Sequence, residues 1–157
     1  MSELRAHVAT SDCEAVRPGL VGQPANTVSS LGFVAAGVAI DRMARHRGRP
    51  AWRAVAAAAA VEGVGSVAYH GPGGAWSKGL HDAGLVALGA SLLAATGAAR
   101  PVRPPSRRTV ALTTAAVALH SLSRTGGPLC ARRSPLQGHA LFHVLAAAAL
   151  VSAAHDA

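Results

Sequence analysis

Five polar side chains within or at the ends of apolar stretches are the ones best placed to do chemistry: Ser66, His70, Asp82, His139 and His143. His139 and His143 stand four residues apart, about one helical turn, so a helix presents both imidazoles on one face. Such a pair can bind one metal ion, as the helix of zinc proteases does. Ser66 and His70 repeat the i, i+4 spacing elsewhere in the chain, and His70 supplies a third nitrogen ligand. Three protein ligands and a water make the open arrangement of catalytic zinc, which lowers the pKa of the water to about 7 and so provides a nucleophile. Asp82 is then placed to act as general base or to orient the water. Ser66 could donate to the oxyanion of a tetrahedral intermediate. Each signal is weak alone: an HxxxH pair arises by chance, and a single histidine at a helix end is commonly a satisfied interfacial group. Their agreement at one depth gives them weight, because ionisable groups within spanning helices are costly and usually functional.

The elements that must position these groups are five apolar stretches, at about 26–40, 52–69, 80–98, 109–122 and 138–154. Each approaches the ~20 residues that cross a bilayer core. They are rich in alanine and glycine, which let helix backbones approach closely in lipid. A soluble helical bundle would need a polar stripe every three to four residues, and the runs Ala54–Ala60 and Val144–Val151 have none. The expectation is an all-α, polytopic transmembrane bundle of about five spanning helices, forming a single domain over residues 1–157.

Charge supports a membrane and fixes an orientation. Only 14% of the 157 residues are charged, against roughly 25% in soluble domains. The net charge of +8 raises the possibility of nucleic-acid binding. However, the arginines cluster between apolar stretches, and no basic face carries aromatic stacking partners, so no nucleic-acid partner is expected. Arg42, Arg45, Arg47, Arg49 and Arg53 surround the first loop; Arg100, Arg103, Arg107 and Arg108 surround the third. The positive-inside rule makes both loops cytoplasmic, with the N-terminus and residues 1–25 outside and the C-terminus in the cytoplasm. Residues 1–25 carry Glu3, Arg5, Asp12, Glu14 and Arg17 and no apolar core of a signal peptide. The two cysteines allow at most one intramolecular bridge.

At these same residues the sequence resembles a known family. Gly63-Val64-Gly65-Ser66-Val67-Ala68-Tyr69-His70 resembles the Gly-x-Gly-Ser-x-x-x-His stretch of the alkaline ceramidases. Leu80-His81-Asp82 resembles their Leu-Asp segment, and His139-Ala140-Leu141-Phe142-His143 their late His-Ala-x-x-His helix. Asn26-Thr27-Val28-Ser29 resembles their first-helix Asn-Thr-x-Ser, and Asp12-Cys13-Glu14 their N-terminal Asp-Trp-Cys-Glu. The wider superfamily includes the adiponectin and progestin receptors and haemolysin-like membrane proteins. The resemblance implies a shortened bacterial-type member, a zinc-dependent amidohydrolase in the plasma membrane that cleaves ceramide or another N-acyl lipid. Its active site would face the extracytoplasmic side, with zinc on His70, His139 and His143 and with Ser66 and Asp82 around the catalytic water. It also implies a Cys13–Cys130 disulfide, in a compartment where disulfides persist.

The chain departs from that family in two ways. The family has seven spans against five here, so part of the lipid pocket's wall is missing. Its N-terminal calcium site would retain only Asp12, Glu14 and Gln23 as oxygen donors, fewer than the six to eight oxygens calcium takes. Two non-enzymatic alternatives stay open: a zinc-binding lipid sensor or receptor-like protein, and a haem protein using facing histidines. Among the remaining candidates, His120 is a reserve ligand. Glu62 is placed either to line the pocket or to bond a neighbouring helix. His81 points about 100° from Asp82 and reads as interfacial, as do Trp52 and Trp76. Arg132 and Arg133 read as a solvated loop or as contacts to an anionic headgroup, and His7, His46 and His155 as solvated.

Overall fold

The computed structural model describes residues 11–98 and 104–157; His7, Arg100 and Arg103 lie outside these. Five helices account for most of the described residues: α1 (Pro24–His46), α2 (Pro50–His70), α3 (Ala75–Ala98), α4 (Arg107–Leu122) and α5 (Gly138–Asp156). No strand is present among the described residues; the sole extended pairing is an isolated bridge between Asp12 and Arg124. Proline opens α1 and α2, where its missing N–H costs nothing. Ser106 caps α4, its Oγ accepting from the Thr109 amide at 3.2 Å.

The helices run up and down. α2 packs on α1 and α3, α1 on α5, and α5 on α4, so α3 and α4 form the two edges of an arc. Glycine allows the central contacts. A Cβ on Gly63 would lie 2.7 Å from Val34 Cγ2, and one on Gly65 would lie 2.9 Å from His81 Cα. The core is correspondingly fine-grained: Ile40, Val55 and Ala59 are fully buried, with Phe33, Trp52 and Leu88 among the larger side chains around them. The opposite faces carry exposed Leu31, Val86, Leu93, Val117 and Val144, an apolar girdle of the kind that a solvated monomer avoids.

Three helices are long and apolar enough to cross a membrane: α1, α3 to Gly97, and α5. Two of the five expected spans fall short of that standard for physical reasons. α2 lies between α1 and α3 with twelve buried residues, Glu62, Ser66 and His70 among them, so its partners rather than lipid face its polar groups. α4 has 16 residues, about 24 Å at 1.5 Å per residue, against a core of about 30 Å.

Helix limits also differ from those expected. α1 continues six residues past Ile40, because Asp41 and the following arginines remain helical once their side chains reach solvent. α3 begins at Ala75 rather than near Leu80, because Gly73 and Gly74, both at positive φ, turn the chain within a short connection. Trp52 is no interfacial anchor: it is 4% exposed within the core, whereas Trp76 is 63% exposed. His46 and His155 are exposed.

Candidate metal centre

One end of the bundle holds the N-terminal segment, the α2–α3 connection and the α4–α5 connection. Cys13 and Cys130 are joined by a disulfide, which ties the N-terminal segment to the loop before α5. The same segment is stitched to the end of α2, with the Gly22 and Gln23 amides donating to the carbonyls of Gly71 and His70 at 2.9 Å. Glu14 accepts from the amides of Ala25 and Asn26, each at 2.9 Å, a carboxylate on the first turn of α1 where the helix dipole favours it.

At this end His70 closes α2, and His139 and His143 open α5. The three are buried, and one nitrogen of each lies within 4.8 Å of those of the other two. The ring centroids are separated by 4.5 Å (His139–His143), 5.2 Å (His70–His139) and 5.3 Å (His70–His143). The structure thus brings together the three expected ligands, and they could hold one metal ion.

The far side of each ring shows which nitrogen is offered. Gln23 Nε2 donates to the carbonyls of Asp12 and Glu14 at 3.2 and 2.8 Å, which fixes Gln23 Oε1 as an acceptor. That oxygen is 2.7 Å from His70 Nδ1, so Nδ1 carries the proton. His70 Nε2 is then a buried lone pair without a hydrogen-bond partner. Ser29 Oγ donates to the Asn26 carbonyl at 3.0 Å and therefore accepts from His143 Nδ1 at 2.9 Å. His139 Nδ1 stands 3.7 Å from Asp12 Oδ1. Burial pushes the Asp12 carboxyl above its usual range, against a hydrogen bond from Ser11 and the charge of Arg124. Backing of this sort by the Gln23 amide and the Ser29 hydroxyl is what orients histidine metal ligands, and an unpartnered buried nitrogen is what a metal ion satisfies. The donor set fits a metal ion.

The remaining expected residues have particular fates. Ser66 is fully buried and 2.9 Å from Ser30 Oγ; because Ser30 donates to the Asn26 carbonyl at 2.7 Å, Ser66 is the donor of that pair. Asp82 lies two turns into α3, half-exposed and ion-paired with Lys78. Both Lys78 and Asp82 line a cavity of about 260 Å³ whose wall includes His70 and His139. His120 lines the same cavity, its ring 5.6 Å from that of His139, and stands outside the ligand group. The three oxygen donors expected for calcium have other partners: Glu14 caps α1, Gln23 holds His70, and Asp12 faces His139.

Sequence reasoning missed two features. Gln23 and Ser29 act behind the ligands, signalled only by a polar run, Gln23 to Ser30, opening an apolar helix. The second is His81. It turns inward rather than to the interface: Nδ1 is 2.7 Å from Oε1 of buried Glu62. Its ring stacks on Tyr69 with centroids 5.0 Å apart. His81 and Asp82 both line the cavity, His81 the less exposed of the two.

Comparison with protein families, with characterised proteins and with solved structures finds no match to this chain.

Proposed function

We propose that the protein is a zinc-dependent, ceramidase-like membrane hydrolase that cleaves a lipid amide bond. The observation that carries this is the convergence of three buried imidazoles, with His70 and His143 held from behind and with His70 and His139 at the wall of a cavity. His70, His139 and His143 would hold the zinc; when bound, it acts as a Lewis acid that polarises a carbonyl and activates water at neutral pH. The chain's own contribution is positional. Gln23 and Ser29 keep the Nδ1 protons of His70 and His143 turned away from the ion. Asp12 faces the Nδ1 side of His139. Asp82 at the rim would take or hold a proton, on release from Lys78, and Ser66 would serve an oxyanion by turning its proton away from Ser30. All five helices would lie at membrane depth, with α2 shielded between α1 and α3. The arginine-rich end would face the cytoplasm, leaving the N-terminus, the disulfide and the zinc outside, in a bacterial plasma membrane. Ceramide or another N-acyl lipid would enter laterally.

Two details favour a second reading, a non-enzymatic zinc-binding lipid sensor: the Ser66 proton points at Ser30, and Asp82 is neutralised by Lys78. A haem between facing histidines is disfavoured, because centroids of 4.5–5.3 Å leave no room for a porphyrin plane. The test is metal analysis of purified protein beside His139→Ala and His143→Ala, together with hydrolysis of a short-chain N-acyl sphingoid lipid. One zinc per chain, lost in both variants along with activity, is the expected outcome. Zinc bound by the wild type without hydrolysis of any N-acyl lipid would favour the sensor, and a wild type without zinc would end both readings.

A further inference from the structure

The end of the bundle away from the histidines holds a second cavity, of about 370 Å³, between the last turns of α1 and the first turns of α2. Its floor is apolar and narrow because Gly37 lets the helices close up: a Cβ there would lie 2.7 Å from the Ala56 carbonyl and 3.2 Å from Ala60 Cβ. Its rim is charged, with Arg42, Arg45 and Arg53 around Asp41. Asp41 Oδ2 is 2.6 Å from Arg45 Nε, and Oδ1 is 3.3 Å from Arg53 Nε. Both contacts use Nε. The terminal nitrogens of the two guanidinium groups, like Arg42, therefore have no protein partner among the described residues, and both side chains are more than half exposed. Three cations against one carboxylate leave a surplus of two positive charges, with two of the forks held in place by that carboxylate.

Below the arginines the groove opens onto an apolar track. Leu31 and Val38 lie two turns apart on α1; Val61 and Val64 continue the line of Ala57 and Ala60 on α2. All four larger side chains are between 44% and 54% exposed. From Arg53 to Val64 the track runs about 16 Å at 1.5 Å per residue. A free anion would need only the arginines. A cationic rim joined to an apolar seam on a membrane-embedded helix pair matches a molecule with a phosphate at one end and a hydrocarbon chain at the other. Arginine is suited to bidentate phosphate contacts, and basic pockets between spanning helices hold anionic headgroups.

We infer that this groove binds an anionic phospholipid of the surrounding leaflet, its phosphodiester on Arg42, Arg45 and Arg53 and one acyl chain along the α1–α2 seam. The inference rests on the membrane reading and is independent of the zinc chemistry at the other end.

The test uses the full chain reconstituted in equal parts phosphatidylglycerol and phosphatidylcholine, stripped by mild detergent, with retained lipid quantified by mass spectrometry. Phosphatidylglycerol should be enriched in the wild type. Arg42→Gln with Arg53→Gln should reduce that enrichment by about fivefold for each arginine removed. Asp41→Asn should also reduce it, although it adds positive charge, because it releases Arg45 and Arg53. Arg132→Gln with Arg133→Gln removes the same charge at the far end and should leave it unchanged. Circular dichroism establishes that each variant keeps its helical content, and the singly exposed Arg42→Gln serves if the double variant does not. No lipid preference in the wild type, equal losses in the far-end control, or stronger binding in Asp41→Asn would overturn the inference. Displacement of the lipid by millimolar inorganic phosphate would overturn it too, by showing a site for the free anion.

Discussion

Two of the three candidate metal ligands, His70 and His143, are positioned by side chains outside the ligand group. Gln23 is the clearest example: two backbone carbonyls hold its Nε2, and only its Oε1 is left for His70. Gln23→Ala removes that acceptor and frees the ring to turn. Metal affinity is expected to fall about 10- to 100-fold, the usual effect of losing such a partner. Ser29→Ala should act similarly through His143. Competition against a fluorescent chelator measures both. Affinity unchanged in both variants would mean that the hydrogen bonds behind the rings do not set the site. His120→Ala should leave affinity within about twofold on the same view of ligand backing, since that ring stands outside the ligand group.

Among the elements, the α1–α2 and α2–α3 pairs depend on close approach. Gly63→Ala places a methyl 2.7 Å from Val34 Cγ2 and 2.8 Å from the Val34 nitrogen, where backbone must move. The expected loss is about 1–3 kcal/mol, read as a lower melting temperature in a fixed detergent. Gly89→Ala is the contrast: nothing lies within 4 Å of its Cβ, and the same change in an open helix position should be neutral or stabilising by about 0.5–1 kcal/mol. If the two variants melt alike, close packing at Gly63 is not what holds α1 to α2.

For the whole molecule, the disulfide ties the N-terminal segment to the loop before α5. Cys13 and Cys130 are 117 residues apart, and the segment they anchor carries Asp12, Glu14 and Gln23. Cys130→Ser should cost about 2–5 kcal/mol, as loss of a native bridge over a long loop does, and should also loosen the metal, because Gln23 and Asp12 are no longer held. Melting with and without reductant, with metal release followed in parallel, tests this; a variant that melts earlier yet keeps its metal affinity would separate the bridge from the site. The proposed topology predicts that an N-terminal tag is cleaved by protease added to intact cells, while a C-terminal fluorescent protein is protected and fluorescent. The reverse pattern would place the histidines on the cytoplasmic side.

The five helices of the described residues, their apolar character and the candidate ligand histidines were legible in the chain, because hydropathy runs and the i, i+4 spacing are local properties. His139 and His143 needed only a helix to share a face. What lay beyond local reading concerned contacts between distant segments. Nothing in the residues around His81 and Asp82 says which of them faces inward; the packing of α3 on α2, with His81 against Tyr69 and Glu62, decides it. Nothing around Gln23 says that its amide meets a histidine 47 residues away. Nor does the hydropathy of α2 reveal that it lies between two other helices and so can carry Glu62, Ser66 and His70. The sequence determined the helices and the imidazoles, because propensity and spacing act within a turn. The tertiary structure alone decided which polar groups back those imidazoles and which line the cavity, because those depend on how separate helices are rotated against one another.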